Sequence, residues 1–389
     1  MEFGKLTDYL NTLEEKYSVH GLDFKVMKGH EVVYRYMTGH SDYEKKVPVT
    51  ENDLYDIYSC SKVITMTAVM QLVEQGKIHL DDELCKYLPE FRDMQYDADF
   101  QVGKFPFEWP SSKSRLAPAK NKMLIHDLMS MTSGMSYDVA SEPIRRVVEQ
   151  TNGEANTRQV VAAMAEMPLL FEPGTHWSYA LSHDVLAAVI EVVTGMTFGE
   201  YMKKNIFEPL GIRDMYYQLT DKERARLSAQ YTKDWTTGQI KRDNTMQYRI
   251  TKNYESGGAG LTTTVDEYSK VVEALANGGV GATGKQILKP ESILTMGKNW
   301  MTEAQMADFG RTGKVGYGYG LGVRVLVDQT KSKSPVGEFG WDGAAGAYAL
   351  VDPINHVSMF YAHEITGMIE AYSEIHPTIR DLAYEGMGL

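Results

Sequence analysis

One serine and one lysine, separated by two residues, form a pair that could do covalent chemistry. Ser59 and Lys62 lie at the start of a helix predicted over residues 59–75, so the spacing puts both on one face of its first turn. A serine hydroxyl attacks a carbonyl carbon efficiently only when a base takes its proton, and a lysine becomes that base when burial lowers the pKa of its amine. Free N–H groups at the helix start favour the negative charge that such an attack develops.

The helix that carries this pair is predicted to be buried. Its apolar residues cover nearly every face: Val63, Ile64, Met66, Ala68, Val69, Met70, Leu72 and Val73. A helix that is apolar all round packs inside a protein, so we expect its first turn to reach the edge of the core. An isolated S-x-x-K pair is more often a helix cap beside a solvated lysine, and other motifs have to decide between the two interpretations.

Those motifs follow in order along the chain, in the segments Ile57–Lys62, Gln71–Asp82, Leu124–Met135, Phe171–Gly174, Ser256–Thr264 and Tyr317–Gly320. The ordered set resembles the serine β-lactamase and penicillin-recognising superfamily, and within it class C β-lactamases and family VIII carboxylesterases. The resemblance covers about residues 20 to 385. It implies an α+β fold of the β-lactamase/transpeptidase type, with an antiparallel sheet flanked by helices and an inserted, mostly helical domain.

The second motif of this family begins with a tyrosine, which matches Tyr179 at the start of Tyr179–Asp184. The resemblance implies that Tyr179 and Lys62 together take the proton of Ser59, and the sequence leaves open which of the two is the principal base. Leu181 stands where β-lactamases usually carry asparagine, and we expect it to contact the substrate. Asp184 either supports the site or only stabilises the start of its own helix.

The third motif, Lys-Thr-Gly in β-lactamases, is matched here by Trp341–Ala344. The resemblance implies that the backbone N–H of Ala344, beside that of Ser59, holds the oxyanion, and that Trp341 and Gly343 contact the substrate. Tryptophan replaces the lysine that would meet a β-lactam carboxylate, which favours the esterase branch of the superfamily. Arg311, in an Arg-Thr-Gly sequence, remains a weaker candidate for that cation.

Together these matches predict a serine hydrolase that forms an acyl-enzyme, first of all a carboxylesterase on small acyl esters. The alternatives are a β-lactamase or D-amino-acid peptidase of the same superfamily, acyl transfer to an acceptor other than water, and a catalytically silent binding module. The expected partner is a small-molecule ester or amide. We expect no cofactor and no metal, because the ten histidines show no His-Glu-x-x-His spacing and the phosphate-loop-like Gly279–Lys285 is followed by Gln286 instead of Ser or Thr.

Composition narrows the function further. A net charge of -12 argues against a nucleic-acid partner, which needs clustered Lys and Arg. The two cysteines, Cys60 and Cys85, are too few for a disulfide framework and are expected to be reduced core residues. The N-terminal sequence is unlike a signal peptide and no apolar stretch has the length of a membrane span, so we expect a cytoplasmic protein without a membrane partner. The oligomeric state stays open.

Periodicity predicts strands near both ends of the chain and helices between them. We expect a sheet domain formed by residues 1–76 and 250–389, a mostly helical domain over 77–249, and the active site between them. The predicted strands are Leu22–Met27, Glu31–Met37, Tyr319–Asp328, Gly337–Trp341, Ala347–Val351 and His356–Ala362. Further helices are predicted at 5–17, Asp184–Thr194, Tyr268–Ala276 and Thr378–Tyr384, and 92–120 is expected to lie on the surface.

Overall fold

The computed structural model of the chain describes residues 1–102, 110 and 114–389; part of the predicted surface segment, 103–109 and 111–113, lies outside the described residues. The strands are β1 Gly21–Lys28, β2 Glu31–Asp42, β3 Val47–Pro48, β4 Tyr55–Asp56, β5 Gln95–Asp97, β6 Leu116–Pro118, β7 Met215–Tyr216, β8 Tyr231–Lys233, β9 Ile240–Arg242, β10 Thr262–Thr263, β11 Tyr317–Tyr319, β12 Arg324–Leu326, β13 Phe339–Asp342, β14 Tyr348–Asp352, β15 Val357–Ala362 and β16 Ile365–Thr366. The α-helices are α1 Gly4–Asn11, α2 Leu13–Tyr17, α3 Ser61–Glu74, α4 Ile125–Met129, α5 Glu142–Gln150, α6 Thr157–Met164, α7 Ser182–Thr194, α8 Phe198–Met202, α9 Asp221–Arg224, α10 Val265–Ala276, α11 Pro290–Met296, α12 Glu303–Gly310 and α13 His376–Met387.

Both ends of the chain contribute to one antiparallel sheet. Within the described residues it has eight strands in the order β11-β12-β13-β14-β15-β1-β2-β3. Strand β15 pairs with β1, with Tyr361 opposite Phe24, so the predicted union of N- and C-terminal strands is confirmed. Helix α10 covers one face, where Tyr268 stacks on Phe360 with ring centroids 4.0 Å apart, and apolar residues of α1 and α13 pack on the other.

Most predicted elements are confirmed, and two differ. The single strand predicted at Tyr319–Asp328 is wrong: β11 and β12 form a hairpin there, because Gly322 adopts a φ of +75° and the chain reverses between Gly320 and Val323. The helix predicted over 5–17 divides into α1 and α2 at Thr12, whose hydroxyl donates back to the carbonyl of Tyr9.

The predicted division into two domains stays a prediction. Helices α4 to α9 lie within residues 77–249, while β8 of the same segment pairs in parallel with β16 from the C-terminal part. Among the described residues, no single helix combines the length and apolar composition of a membrane span, although α7 and Phe198–Phe207, bent by 77° at their junction, meet these criteria as a pair.

Helix α3 is enclosed on all sides, as its composition predicts. Every residue from Ser61 to Leu72 is buried. The polar side chains that this burial traps find partners on neighbouring segments: Thr65 donates to the carbonyl of Gly257 at 2.6 Å, and the amide of Gln71 donates to the carbonyl of Ile287 at 2.8 Å. These bonds fix the helix along its length, so its first turn has a defined position at the edge of the core.

The turn after β13 lies directly against the chain that leads into α3. A Cβ atom at Gly343 would stand 2.4 Å from the carbonyl oxygen of Ile57, closer than non-bonded atoms approach. Glycine at 343 therefore allows the sheet to contact the backbone two residues before Ser59. This contact couples the position of the β13–β14 turn to that of the serine.

We expect Gly343→Ala to destabilise the fold and to separate the turn from Ile57. Forcing a methyl group into such a contact costs about 1–3 kcal/mol of the free energy of unfolding, which urea denaturation measures. Gly310→Ala is the matched control, since a Cβ there meets nothing within 4 Å, and it should leave the stability unchanged or raise it by up to about 1 kcal/mol. Equal stability of the two variants would contradict the tight contact.

Candidate active site

Ser59 lies in a short 3-10 turn, Tyr58–Cys60, that leads into α3. The residue before it, Tyr58, has a φ of +44°, a conformation that costs a tyrosine about 1 kcal/mol or more. Its hydroxyl donates to Oε1 of Gln230 at 2.6 Å, and this bond helps to hold the turn. Ser59 is 7% exposed, so its hydroxyl is shielded from bulk water yet lies at the surface of the core.

The amine of Lys62 lies within hydrogen-bond distance of three oxygens. Nζ is 3.1 Å from Oγ of Ser59, 3.2 Å from the hydroxyl of Tyr137 and 2.7 Å from the carbonyl oxygen of Gly258. The side chain is fully buried, and this burial lowers the pKa of Lys62 to about 7, against the opposing pull of the negative charge of Asp184. A substantial fraction of Lys62 is therefore neutral near pH 7, when the amine can accept a proton.

Tyr179 contacts the serine from a second side. Its hydroxyl donates to Oγ of Ser59 at 2.7 Å and accepts a hydrogen bond from the indole Nε1 of Trp341 at 3.0 Å. Nζ of Lys62 lies 4.6 Å from the centre of the tyrosine ring. Burial raises the pKa of Tyr179 well above its ordinary value of 10, so the phenol keeps its proton at neutral pH. Tyr179 thus resembles a proton relay more than a resident phenolate base.

Asp184 belongs to the site's hydrogen-bond network as well as to the first turn of α7. Its Oδ1 accepts hydrogen bonds from the hydroxyls of Tyr254 and Ser256, both at 2.6 Å. A Cβ at Gly258 would lie 2.7 Å from Oδ2 of Asp184 and 3.4 Å from Nζ of Lys62, so this glycine backbone fits between the two charged groups. The carboxylate therefore acts on the amine of Lys62 through a short gap rather than by direct contact.

The turn that follows β13 carries the second backbone group predicted for the site. Its hydrogen bonds run from the N–H of Gly343 to the carbonyl of Ala347 at 2.8 Å and from the N–H of Gly346 to the carbonyl of Gly343 at 3.0 Å. Within the described part of the chain, neither the N–H of Ala344 nor that of Ser59 has a backbone acceptor. Both donors are therefore available to an oxygen atom that carries negative charge.

A tyrosine from the C-terminal segment holds this turn. The hydroxyl of Tyr372 lies 3.1 Å from the carbonyl oxygens of both Gly343 and Ala344. The carbonyl of Gly343 and the N–H of Ala344 belong to one peptide group and point in opposite directions. A hydrogen bond to this carbonyl fixes the orientation of that N–H and increases its polarity.

Two residues predicted to contact the substrate have other neighbours in the structure. Leu181, the residue before α7, packs in the main hydrophobic core and is 1% exposed. Its side chain therefore does not line a cleft. Trp341 is 6% exposed and stacks on Tyr179 with ring centroids 5.5 Å apart. Its indole orients the tyrosine hydroxyl, and little of its surface remains for a substrate.

Among the described residues, the cation in contact with the third motif from outside the sheet is Lys314, and not Arg311, the weaker candidate from the sequence. The guanidinium of Arg311 donates to the carbonyl of Val102 at 2.9 Å. Nζ of Lys314 lies 5.4 Å from the ring centre of Trp341 and is paired with the buried carboxylate of Asp342. Lys314 and Arg324 hold the pKa of Asp342 well below its ordinary value, so the positive charge of Lys314 is largely neutralised inside the protein.

Sequence reasoning missed Tyr137 and Tyr372 as well as Lys314. Tyr137 follows the Thr-Ser-Gly turn after α4, and its ring lies 4.8 Å from that of Tyr179. Its position just after that turn is the sequence feature that could have identified Tyr137 as a site residue. Nothing in the local pattern singles out Tyr372 or Lys314 among 24 tyrosines and the many charged residues. Cys60 and Cys85 are buried free thiols, as predicted.

Comparison with known proteins agrees with this geometry. The family model named Beta-lactamase matches residues 6–384, nearly the whole chain. The chain belongs to the Beta-lactamase family. Lovastatin esterase from Penicillium rubens is 31% identical over 324 residues, covering 77% of each chain. Esterase EstB from Burkholderia gladioli is 26% identical over 355 residues, covering 84% of this chain and 81% of its own.

A solved structure has the same fold. EstCE1, described as a hydrolase with promiscuous acyltransferase activity, superposes with a TM-score of 0.77 at 24% identity and covers 98% of both chains. The family match and its esterase-named relatives make this chain a serine hydrolase of the β-lactamase superfamily with the β-lactamase/transpeptidase fold.

Proposed function

We propose that the chain is a carboxylesterase that forms an acyl-enzyme on Ser59. The main support for this proposal is the surroundings of the serine hydroxyl. Oγ of Ser59 lies 3.1 Å from the buried amine of Lys62 and 2.7 Å from the hydroxyl of Tyr179. A nucleophile therefore has two groups that can take or pass on its proton within hydrogen-bond distance, which is what acyl transfer needs. The esterase names of the relatives support the same reaction class.

In the first half of the reaction, Oγ of Ser59 attacks the ester carbonyl carbon and gives its proton to neutral Lys62. The new O–C bond forms as the carbonyl oxygen becomes an oxyanion, which accepts hydrogen bonds from the N–H groups of Ser59 and Ala344. The C–O bond to the alcohol then breaks, and Lys62 returns the proton to the leaving oxygen through Tyr179. Lys62 is assigned as the base, since its pKa is about 7 whereas that of Tyr179 is well above 10.

The second half repeats these steps with water as the nucleophile. Water attacks the acyl carbon, its proton passes to the Lys62–Tyr179 pair, and the C–O bond to Ser59 breaks as Oγ takes the proton back. The carboxylic acid leaves and the free enzyme is restored. An alcohol in place of water would give acyl transfer by the same steps, and a product analysis in the presence of an alcohol distinguishes the two outcomes.

An ester substrate fits the charges of this site better than a β-lactam. A β-lactam carries a carboxylate that needs a free cation, and the positive charge nearest the third motif, Lys314, is ion-paired with Asp342. Trp341 binds Tyr179 in the position where β-lactamases carry a lysine. With an anchoring cation missing from that position, transition-state binding of a carboxylate substrate is weaker.

We expect the wild-type enzyme to hydrolyse 4-nitrophenyl acetate and butyrate with a kcat/KM clearly above that for nitrocefin. Ser59→Ala should abolish turnover, while Ser332→Ala, a serine outside the site, should keep it. Steady-state kinetics with both substrates measures this. Faster hydrolysis of nitrocefin would favour a β-lactamase. The protein would be a binding module if the wild type neither turned over any ester nor reacted with a fluorophosphonate probe.

A second prediction concerns the peptide group that Tyr372 holds. Tyr372→Phe removes the hydrogen bond to the carbonyl of Gly343 and so weakens the N–H donor of Ala344. We expect kcat to fall by about 3- to 30-fold, with little change in KM. This loss is smaller than the one caused by removing a whole oxyanion donor. Tyr17→Phe is the control, because its hydroxyl binds Glu374, which follows Tyr372 on the same C-terminal segment. A kcat for Tyr372→Phe equal to that of the control would contradict the positioning role.

A further inference from the structure

A large cleft opens beside Ala344, the residue whose N–H is proposed to hold the oxyanion. Its volume is about 560 Å³, within the range of small-molecule binding sites. Three segments supply its walls: Tyr58 before the serine, the stretch from Gln230 to Tyr248 that contains β8 and β9, and the stretch from Thr366 to Tyr372 after β16. The volume greatly exceeds what an acetyl group fills.

The position of this cleft indicates which half of an ester it receives. Tyr58 and Ala344, which flank the predicted oxyanion position, line the cleft, whereas Ser59, Lys62 and Tyr179 are not among its lining residues. The leaving alcohol must lie on the side of Lys62 and Tyr179, because these groups return its proton. The acyl chain is a separate substituent of the tetrahedral carbon, so it is free to extend on the side of Ala344, where the cleft begins.

We propose that this cleft is the acyl-group site and that it selects bulky, ring-bearing acyl groups without negative charge. The proposal rests on the acyl-enzyme chemistry proposed above and adds the class of substrate to it. It also replaces two expectations from the sequence: that the acyl group is small, and that Trp341, whose indole is buried against Tyr179, contacts the substrate.

Aromatic surfaces at two depths of the cleft favour a ring. At the inner end, Tyr58 and Tyr248 meet edge to face with centroids 6.0 Å apart. At the outer end, Trp235, in the turn between β8 and β9, is 81% exposed, and Ile369 on the opposite segment is 64% exposed. An indole and an isoleucine side chain left in water beside a cleft gain free energy when an apolar group covers them.

The charge of the cleft disfavours carboxylates. Among the described residues that line it, Asp243 is the only charged one. Its Oδ1 accepts the N–H of Thr245 at 3.0 Å, a local turn that keeps the carboxylate at the wall. Hydrogen bonds from Thr245 and, to a smaller extent, the charge of Lys241 lower the pKa of Asp243, so its carboxylate stays ionised at neutral pH; Lys241 itself is not among the lining residues. An acyl chain that ends in a carboxylate would therefore meet like charge in the cleft.

The first arm of the test compares acyl groups on one leaving group. We expect kcat/KM for 4-nitrophenyl 3-phenylpropanoate to exceed that for the acetate by about 10-fold or more, given the apolar area that the ring buries. Trp235→Ala should lower this ratio several-fold. Leu294→Ala removes another exposed apolar side chain, 62% exposed and outside the cleft, and should leave the ratio unchanged.

The second arm tests the charge. Asp243→Asn should raise kcat/KM for the monoanionic 4-nitrophenyl hemisuccinate, relative to the butyrate, by about 3- to 10-fold. This is the size expected when one repulsion between two negative charges, partly screened by solvent and salt, is removed. Asp328→Asn is the matched control, since Asp328 also accepts the N–H of the residue two positions later and lies outside the cleft. The control should leave the ratio of hemisuccinate to butyrate at its wild-type value.

The outcomes separate this proposal from the one on which it rests. The acyl site is overturned if the enzyme hydrolyses the acetate but does not prefer the phenylpropanoate, and if neither ratio responds to Trp235→Ala or Asp243→Asn. The proposed esterase activity is retained in that case. Failure of the wild type to hydrolyse any of these esters overturns both proposals.

Discussion

The burial of one amine is the constraint on which the rest of this site depends. Lys62 is enclosed completely, and its Nζ contacts oxygens of Ser59, Tyr137 and Gly258. An ammonium group is costly to bury, so the protein shifts the equilibrium towards the neutral amine. Lys62 can be enclosed in this way only if the helix that carries it is also buried. This explains why α3 is apolar on almost every face.

A second set of buried charges serves the other wall of the site. Asp342, next to Gly343, is surrounded by Lys314, Arg324 and His376, with distances of 3.6 Å to the guanidinium and 3.1 Å to the imidazole. Arg324 lies on β12, Asp342 on β13 and His376 on α13, whereas Lys314 lies in the loop before β11. This cluster fixes the end of β13, and the turn that carries Ala344 begins there. The serine and its predicted oxyanion donor thus come from two separately anchored elements that meet at Ile57.

The sequence predicted the parts of the site that spacing or motif order determines. Ser59 and Lys62 follow from helical spacing beside an apolar run, and Tyr179 from the order of the family's motifs. The directions of side chains could not be read in this way: Leu181 and Trp341 occupy the expected positions, but tertiary packing turns the first into the core and the second onto Tyr179. The strand prediction at residues 319–328 failed for a different, local reason: Gly322 has a positive φ and divides the predicted strand into two.

Residues far apart in the chain were the hardest to predict. Tyr372 and Lys314 act on the β13–β14 turn from a C-terminal segment and from the loop before β11, and their local sequence contains no motif that indicates this. A cleft such as the one between Trp235 and Ile369 is likewise formed only when β8 pairs with β16.

The central claim, that Lys62 is the neutral base of the resting enzyme, is tested most directly by its own titration. Carbon-13 labelling of the lysine ε-carbons, with Lys62→Met to assign the resonance, gives the pKa of this amine by NMR in the folded protein. We predict a titration with a midpoint of about 7, with the amine protonated below it and neutral above it. A midpoint near the ordinary lysine value of about 10.4 would contradict the account, because Lys62 would then stay charged at neutral pH.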